Sequence, residues 1–363
     1  MSERGERVPG RVHRFRLAAP RPRLVSGDPT VRCSEWWPQS SRELTTVPDQ
    51  CSVSLFPCHA GGFCDARHLR RTRAHGYPYS LIAHVKRSSA LMILVTGATG
   101  NMGLPLMRRL AGSGADIRAT TRDERRARAL LPPGTQIEEG DLAQPDFLEK
   151  ALRDVDKLFL FLEAGDPARV LEVASDVGVP YVVLVTSLLA ETRPRSFVGQ
   201  LALGTEQLMW ESGFSGTVLR PWEYASNTLA WAREIQSGDV VRKPSAGLPS
   251  PVIDPADVAA VAALALLEDG HDGRTYALTG PAELTAQDKV AALSAALGRE
   301  VTFEENGEPE LLAKIRNAPE EVAEEFGVCF MESPGVLSTV EDVTGRRPRA
   351  FSEWALEHSA AFK

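Results

Sequence analysis

The feature that most constrains this chain is a glycine-rich stretch between an apolar run and an amphipathic segment. Ile93-Leu94-Val95-Thr96 is short and continuous, like strands that are buried on both faces of a parallel sheet. The chain continues with Gly97-Ala98-Thr99-Gly100-Asn101-Met102-Gly103, and an amphipathic helix is predicted over Leu104–Leu110. A strand, three glycines at these spacings and a helix are together typical of a dinucleotide-binding βα unit.

The three glycines have separate physical tasks. Gly97 lets the chain turn tightly out of the strand, Gly100 lets the backbone approach a pyrophosphate, and Gly103 lets the helix pack close to the sheet. The pyrophosphate is then held at the positive N-terminus of the helix. A purely structural glycine turn is the alternative, and the flanking strand and helix argue against it. The predicted cofactor contacts in this loop are Gly97, Thr99, Gly100, Asn101, Met102 and Gly103.

Arg122 closes the second predicted strand, Asp116–Thr121, nineteen residues after the last of these glycines. At this place an acidic residue usually marks a site for NAD, whereas an arginine accommodates the 2′-phosphate of NADP. Arg122, with Arg125 and Arg126 on the next helical turn, therefore predicts NADP(H) as the cofactor. The alternative is the solvated basic start of a helix, and the neighbouring Asp123 weakens the preference for NADP(H).

Strands and helices continue to alternate along the chain. Strands are predicted at Gln136–Glu139, Lys157–Leu162 and Tyr181–Thr186, and helices at Asp146–Arg153 and Asp166–Val177. This alternation is typical of the α/β class, and it predicts a Rossmann-like, doubly wound parallel sheet.

Ligands of such sheets bind beyond the carboxyl ends of the strands. The residues predicted there as further cofactor contacts are Asp141, Leu142, Phe161 and Leu162. Asp141 would accept a hydrogen bond from the adenine amino group, or else it caps the helix that follows. Ser187 would bond a substrate oxygen or the nicotinamide amide, or else it satisfies local backbone groups.

Several further motifs, in order, make residues 92–363 resemble the NmrA-like branch of the atypical short-chain dehydrogenase/reductases. Besides the glycine loop and Arg122 they include Gly140-Asp141-Leu142, Val185-Thr186-Ser187, Thr205-Glu206-Gln207-Leu208, Thr217-Val218-Leu219-Arg220-Pro221, Asp254-Pro255-Ala256-Asp257 and Thr344-Gly345-Arg346-Arg347-Pro348. The resemblance implies an NADP(H)-binding domain with a small C-terminal α/β part, about residues 228–363, that forms a substrate cleft. It further implies a quinone reductase, an azo-dye reductase or a catalytically inert redox sensor.

Classical short-chain dehydrogenases use a tyrosine whose pKa is lowered by a lysine four residues later. Tyr181, Tyr224 and Tyr276 are the tyrosines of residues 92–363, and none of them has a lysine at that spacing. The helix predicted over Val198–Glu211, where the pair would lie, offers Glu206 instead. Quinone reduction does not require the tyrosine and lysine pair, because the cofactor supplies the hydride and solvent can supply the protons.

We therefore predict an NADPH-dependent reductase of a quinone-like or other small planar acceptor, with Ser187 and Tyr224 as the candidate catalytic residues. Trp222 and Tyr224 follow the sixth strand at the mouth of the predicted cleft, where an aromatic ring could stack on a flat acceptor. Ordinary packing is the alternative, and it is favoured more for Trp222. The competing hypothesis is a non-enzymatic sensor that reports the redox state of NADP(H) to a partner.

The charge of the chain is unevenly distributed. Residues 1–91 carry 15 Lys and Arg against 7 Asp and Glu, whereas residues 92–363 carry 26 against 41. The acidic part is therefore unsuited to electrostatic nucleic-acid binding. Residues 92–363 have a single cysteine, so they cannot contain a disulfide framework, which fits a reducing compartment. No apolar run reaches the roughly 18 residues that a membrane-spanning helix needs. We predict a cytoplasmic protein without nucleic-acid or membrane partners, and leave open a homodimer or a protein partner.

Residues 1–91 have no sustained apolar period, and proline, arginine, serine and glycine are scattered through them. Met92 stands one residue before the first predicted strand, where a natural initiator would stand. We predict that residues 1–91 are a disordered or non-native N-terminal extension, with translation assigned too far upstream. The alternatives are a basic arm for nucleic acid, or a zinc site of Cys51, Cys58, Cys64 and His68. Because those ligands are not closely paired, we expect no metal.

Overall fold

The computed structural model describes residues 90–162, 166–243, 247–305 and 333–363. The predictions for residues 1–89, including the zinc alternative, lie outside these ranges. Within the ranges, no three histidine, cysteine or acidic side chains come together as a metal site would require. None of the helices in the same ranges combines the length and the apolar character that a bilayer crossing needs.

A parallel sheet of seven strands forms the centre of the described structure. In chain order its strands are β1 (Met92–Val95), β2 (Asp116–Thr121), β3 (Gln136–Glu139), β4 (Lys157–Phe161), β5 (Tyr181–Val185), β6 (Ser215–Pro221) and β8 (Arg274–Leu278). Their spatial order is β3-β2-β1-β4-β5-β6-β8, and every neighbouring pair is parallel. From β1 the chain adds β2 and β3 on one side, and it then returns to add β4 and the later strands on the other side of β1. This reversal in the order of strand addition, between β1 and β4, is typical of Rossmann folds. The predicted fold class is confirmed.

Helices cover both faces of the sheet. They are α1 (Gly103–Leu110), α2 (Glu124–Leu130), α3 (Pro145–Leu152), α4 (Pro167–Asp176), α5 (Leu189–Thr192), α6 (Phe197–Glu211), α7 (Ala232–Gly238), α8 (Pro255–Leu267) and α9 (Ala286–Leu297). Successive residues of β1 point to opposite faces, so Ile93 and Val95 pack in the core of α1 and α8, while Leu94 packs in the core of α3, α4 and α6. Burial on both faces explains why β1 is continuously apolar.

Helix α8 begins as its sequence predicts. Asp254 is the N-cap, and one of its oxygens accepts a hydrogen bond from the Ala256 amide at 2.8 Å. Pro255 occupies the first helical position, where a missing N–H group costs nothing. Helix α9 also begins at a side-chain cap, because Thr285 and Asp288 form a reciprocal capping box.

A smaller part with its own core surrounds a second sheet. This sheet pairs β7 (Val240–Lys243) with β9 (Thr302–Glu305) in parallel. Its core includes Trp354 of α11 (Phe351–Glu357), whereas Val340 of the preceding helix, α10 (Thr339–Thr344), packs in the core of α1 and α8. The sequence gives no local sign of β7, because its partner β9 is about sixty residues away along the chain.

Two carboxylates at the start of α8 hold the segment that leads into α11. Asp257 accepts a hydrogen bond from the Arg349 amide at 2.7 Å, and Asp254 lies 3.1 Å from the Arg349 guanidinium. The same guanidinium bonds Glu357 at 2.6 Å. Burial raises the pKa of Asp257 to about 6, although Arg349 and Arg109 favour its charged form.

This raised pKa predicts a pH-dependent stability. A carboxyl group whose folded pKa is raised contributes stability that is present below its unfolded value, near pH 4, and lost as the pH rises through about 6. We expect Asp257→Asn, which keeps an oxygen for the Arg349 amide, to match the wild type near pH 4. Near pH 7 its free energy of unfolding should exceed that of the wild type by on the order of 2 kcal/mol. Urea unfolding at both pH values tests this, and an equal difference at both would contradict it.

Candidate functional site

The predicted site residues meet at one edge of the large sheet, where the carboxyl ends of its strands lie. In spatial order they are Asp141 and Leu142 after β3, Arg122 after β2, the glycine loop after β1, Phe161 and Leu162 at the end of β4, Ser187 after β5 and Tyr224 after β6. Backbone hydrogen bonds tie neighbouring ends together, such as Gly140 N to Thr121 O at 2.8 Å and Leu162 N to Val185 O at 2.9 Å. The edge therefore forms one continuous candidate site across the reversal between β1 and β4.

The glycine loop has a geometry that other residues would not accept. Gly97 has a φ of +63°, in the left-handed region that favours glycine. A Cβ atom on Gly103 would lie 2.1 Å from the carbonyl oxygen of Gly97 and 2.7 Å from the Cα of Ala98. Because these are backbone atoms, α1 can start this close to the loop only with glycine at its first position.

The N-terminus of α1 is open toward the edge. Its N-cap is Met102, whose side chain is buried and makes no capping hydrogen bond. Among the described residues, the amides of Asn101 and Met102 have no hydrogen-bond acceptor. The N–H groups and the helix dipole together make an anion-binding position. A buried ligand group such as a pyrophosphate would satisfy these donors.

The acid beside Arg122 has a structural role. Asp123 is the N-cap of α2, and its side chain accepts a hydrogen bond from the Arg126 amide at 2.9 Å. Because its carboxylate is engaged in starting the helix, Asp123 gives no support to an NAD-type ribose contact. Arg122 is exposed at the end of β2, beside the loop of β1.

Asp141 does not cap the helix that follows it, so that alternative is wrong. Helix α3 starts four residues later, at Pro145, and its N-cap is Gln144. One Asp141 oxygen instead accepts a hydrogen bond from the Ala143 amide at 3.0 Å, which closes a local turn. The side chain is exposed at the edge, next to Arg122.

The two residues at the end of β4 differ in their exposure. Phe161 is partly buried and packs against the core beneath α1. Leu162 is buried, and its side chain packs against Ala190 and Ala202 of α5 and α6. A cofactor contact of Leu162 therefore falls to its backbone.

Ser187 lies in the turn between β5 and α5. Its Oγ accepts a hydrogen bond from the Leu189 amide at 3.2 Å, so the predicted local backbone role exists. The side chain is only partly buried, and a hydroxyl that accepts one bond still has a hydrogen to donate. The two roles weighed for Ser187 are therefore compatible.

The aromatic residues after β6 have different surroundings. Trp222 is buried against Leu188 and Leu189, and its Nε1 donates to the Ser250 hydroxyl at 2.9 Å. Packing therefore accounts for Trp222. Tyr224 is partly buried and packs against the core of α1 and α8, and its backbone forms a bridge with Ile253.

Glu206 lies on α6, the helix where the classical tyrosine and lysine would lie, and it forms a largely buried ion pair with Arg220 of β6. Both oxygens of Glu206 accept from the Arg220 guanidinium, at 3.1 and 2.5 Å, and one also accepts from the Thr186 hydroxyl at 2.6 Å. The hydrogen bond to Glu206 raises the pKa of Arg220. The sequence analysis quoted both residues in family motifs but did not predict their pairing, for which the signal is that Arg220 is the single charged residue of β6.

A second buried pair joins the end of β6 to α9. Lys289 donates to Glu223 at 2.7 Å, and both side chains are more than nine-tenths buried. Sequence reasoning missed this pair. Its signal is that Lys289 shares the buried face of α9 with Val290 and Leu293.

The comparisons with known proteins agree with this geometry. The profile described as the NmrA-like family matches residues 89–333. This chain belongs to the NmrA-like family. The predicted family and fold are thereby confirmed.

Three proteins similar to this chain are named as reductases or as an oxidoreductase. The chain is 37% identical over 286 residues to the (4-alkanoyl-5-oxo-2,5-dihydrofuran-3-yl)methyl phosphate reductase of Streptomyces griseus, covering 75% of this chain and 99% of the relative. It is 33% identical over 287 residues to the NAD(P)H azoreductase of Xenophilus azovorans, with the same two coverages. An NADPH-dependent quinone oxidoreductase of Escherichia coli, solved with NADPH, superposes with a TM-score of 0.60 at 26% identity, covering 73% of this chain and 99% of that one. These relatives support the predicted NADP(H) cofactor.

Proposed function

We propose that this NmrA-like chain is an NADPH-dependent reductase that passes a hydride to a small planar acceptor of the quinone type. The observation that carries the proposal is the open N-terminus of α1, with free amides at Asn101 and Met102, beside Arg122 on the same edge. The similar proteins named above are reductases, and two of their names include NAD(P)H or NADPH.

The residues of the edge fit the cofactor from one end to the other. The amides of Asn101 and Met102 would hold the pyrophosphate, and Arg122 would hold the 2′-phosphate. Asp141 would accept from the adenine amino group. Gly97, Thr99, Gly100, Gly103, Leu142, Phe161 and Leu162 complete the proposed cofactor contacts. When bound, NADPH supplies the hydride.

On the acceptor side, the chain contributes orientation. The Ser187 hydroxyl would donate to an acceptor oxygen or to the nicotinamide amide, and the Tyr224 ring would stack against a flat acceptor. Without a tyrosine and lysine pair, protons would come from solvent. This arrangement suits an acceptor whose reduced form needs no enzymatic acid.

The proposal is tested by mixing the purified full chain with NADPH and a panel of quinones and azo dyes. We expect loss of nicotinamide absorbance that depends on both the protein and the acceptor. Samples that omit either one give the background rate. Tight NADPH binding without oxidation by any acceptor would overturn the proposal and favour the redox-sensor hypothesis.

Ser187→Ala tests the acceptor side separately. Removing one neutral hydrogen bond of about 1 kcal/mol should lower kcat about five- to tenfold. The dissociation constant of NADPH should stay within about threefold of the wild type, since the pyrophosphate and 2′-phosphate contacts remain. Ser237→Ala on the exposed face of α7 is the matched control. Equal kcat values for the two variants would remove Ser187 from the site.

A further inference from the structure

The Glu206 carboxylate is fixed by three hydrogen bonds inside the protein. Its side chain is 5% exposed, and its partners are the Arg220 guanidinium on β6 and the Thr186 hydroxyl at the end of β5. With both oxygens engaged, the group is held in a single orientation.

This pair holds the chain on both sides of Ser187. Thr186, which bonds Glu206, comes directly before Ser187. Glu191, four residues after Ser187, places a carboxylate oxygen 3.6 Å from the Arg220 guanidinium. The backbone of the turn is also tied to β6, through Thr186 N to Leu219 O at 2.8 Å and Leu188 N to Pro221 O at 2.9 Å.

Stability alone is a weak explanation for such a pair. Replacing a buried ion pair with apolar side chains of similar volume is often neutral or even stabilising. What the pair adds is geometry, because a bidentate arginine fixes both partners in one plane. The residue that lies between the two contact points of the pair is Ser187.

We propose that Glu206 and Arg220, acting through Thr186, are positioning residues for the Ser187 hydroxyl. Helix α6 would then serve the reaction by fixing a donor in place, whereas the corresponding helix of classical relatives supplies the proton donor itself. This inference rests on the proposed reductase function. It concerns residues that need not touch cofactor or acceptor.

The test removes the Thr186 hydroxyl and leaves the ion pair intact. Thr186→Val keeps the volume of the side chain but cannot donate to Glu206, whereas Thr186→Ser keeps the hydroxyl. Because Thr186 acts only through the Ser187 hydroxyl, we expect Thr186→Val to lower kcat by no more than Ser187→Ala does, by about three- to tenfold. Thr186→Ser should restore kcat to within about twofold, and NADPH binding should be unchanged in both variants.

A double-mutant cycle distinguishes positioning from a general loss of stability. If Thr186 acts through Ser187, then Thr186→Val should have no further effect on kcat in a Ser187→Ala background. Effects that multiply would overturn the inference. Thermal unfolding checks that each variant is folded, and Thr186→Ala replaces Thr186→Val if the latter does not fold.

Different results would overturn the proposed function and the positioning role. A wild-type chain that binds NADPH and reduces no acceptor overturns the proposed function, and this inference with it. An active wild type whose kcat equals that of Thr186→Val overturns the positioning role alone.

Discussion

Gly103→Ala should abolish tight NADPH binding and lower the free energy of unfolding by on the order of 3 kcal/mol. The new methyl group would lie 2.1 Å from the Gly97 oxygen and 2.7 Å from the Ala98 Cα. No rotamer change relieves a clash with backbone, so the loop must move away from α1. That movement would displace the amides of Asn101 and Met102, which we propose as pyrophosphate donors. Fluorescence titration with NADPH and urea unfolding measure the two effects.

Gly204→Ala is the matched control for this substitution. Gly204 lies on the exposed face of α6, where an added Cβ would meet no atom within 4 Å. Because alanine is the better helix former, the control should gain up to about 1 kcal/mol of stability, with NADPH binding unchanged. If Gly103→Ala bound NADPH as the wild type does, the loop would not be the cofactor site.

Arg122→Ala should raise the dissociation constant of NADPH about 10- to 100-fold, the equivalent of one lost charge-assisted contact to phosphate. NADH lacks the 2′-phosphate, so its affinity should change by less than about threefold. Isothermal titration with both cofactors gives the ratio directly.

Arg128→Ala is the control for the loss of one positive charge. Arg128 lies in the last turn of α2 and pairs with Glu124 on its own helix. It should leave both affinities close to those of the wild type. A parallel loss of NADPH and NADH in Arg122→Ala would mean that Arg122 supports the fold of the site and does not select the 2′-phosphate.

Local sequence patterns were sufficient for the elements that carry the site. The predicted limits of β2 and β3 coincide with those in the structure, and β1 differs by one residue at each end. These strands could be predicted because each is a short apolar or alternating run bounded by turn residues. The tight turn at Gly97 and the close packing at Gly103 also follow from local chemistry.

Features that depend on distant partners could not be predicted in this way. The strand β7 exists because β9 pairs with it, and the ion pair of Glu206 needs an arginine that is fourteen residues away. The inward orientation of Leu162 results from packing against α5 and α6. Asp141 closes a local turn, and the N-cap position of α3 falls to Gln144, directly before Pro145.

The most direct test of the central claim is a titration of the full wild-type chain with NADPH and, in parallel, with NADH. The open N-terminus of α1 and Arg122 together predict saturable binding of both cofactors, with NADPH at least about tenfold tighter. Equal affinities, or tighter binding of NADH, would contradict the role given to Arg122. An absence of binding by either cofactor would contradict the account of the whole edge.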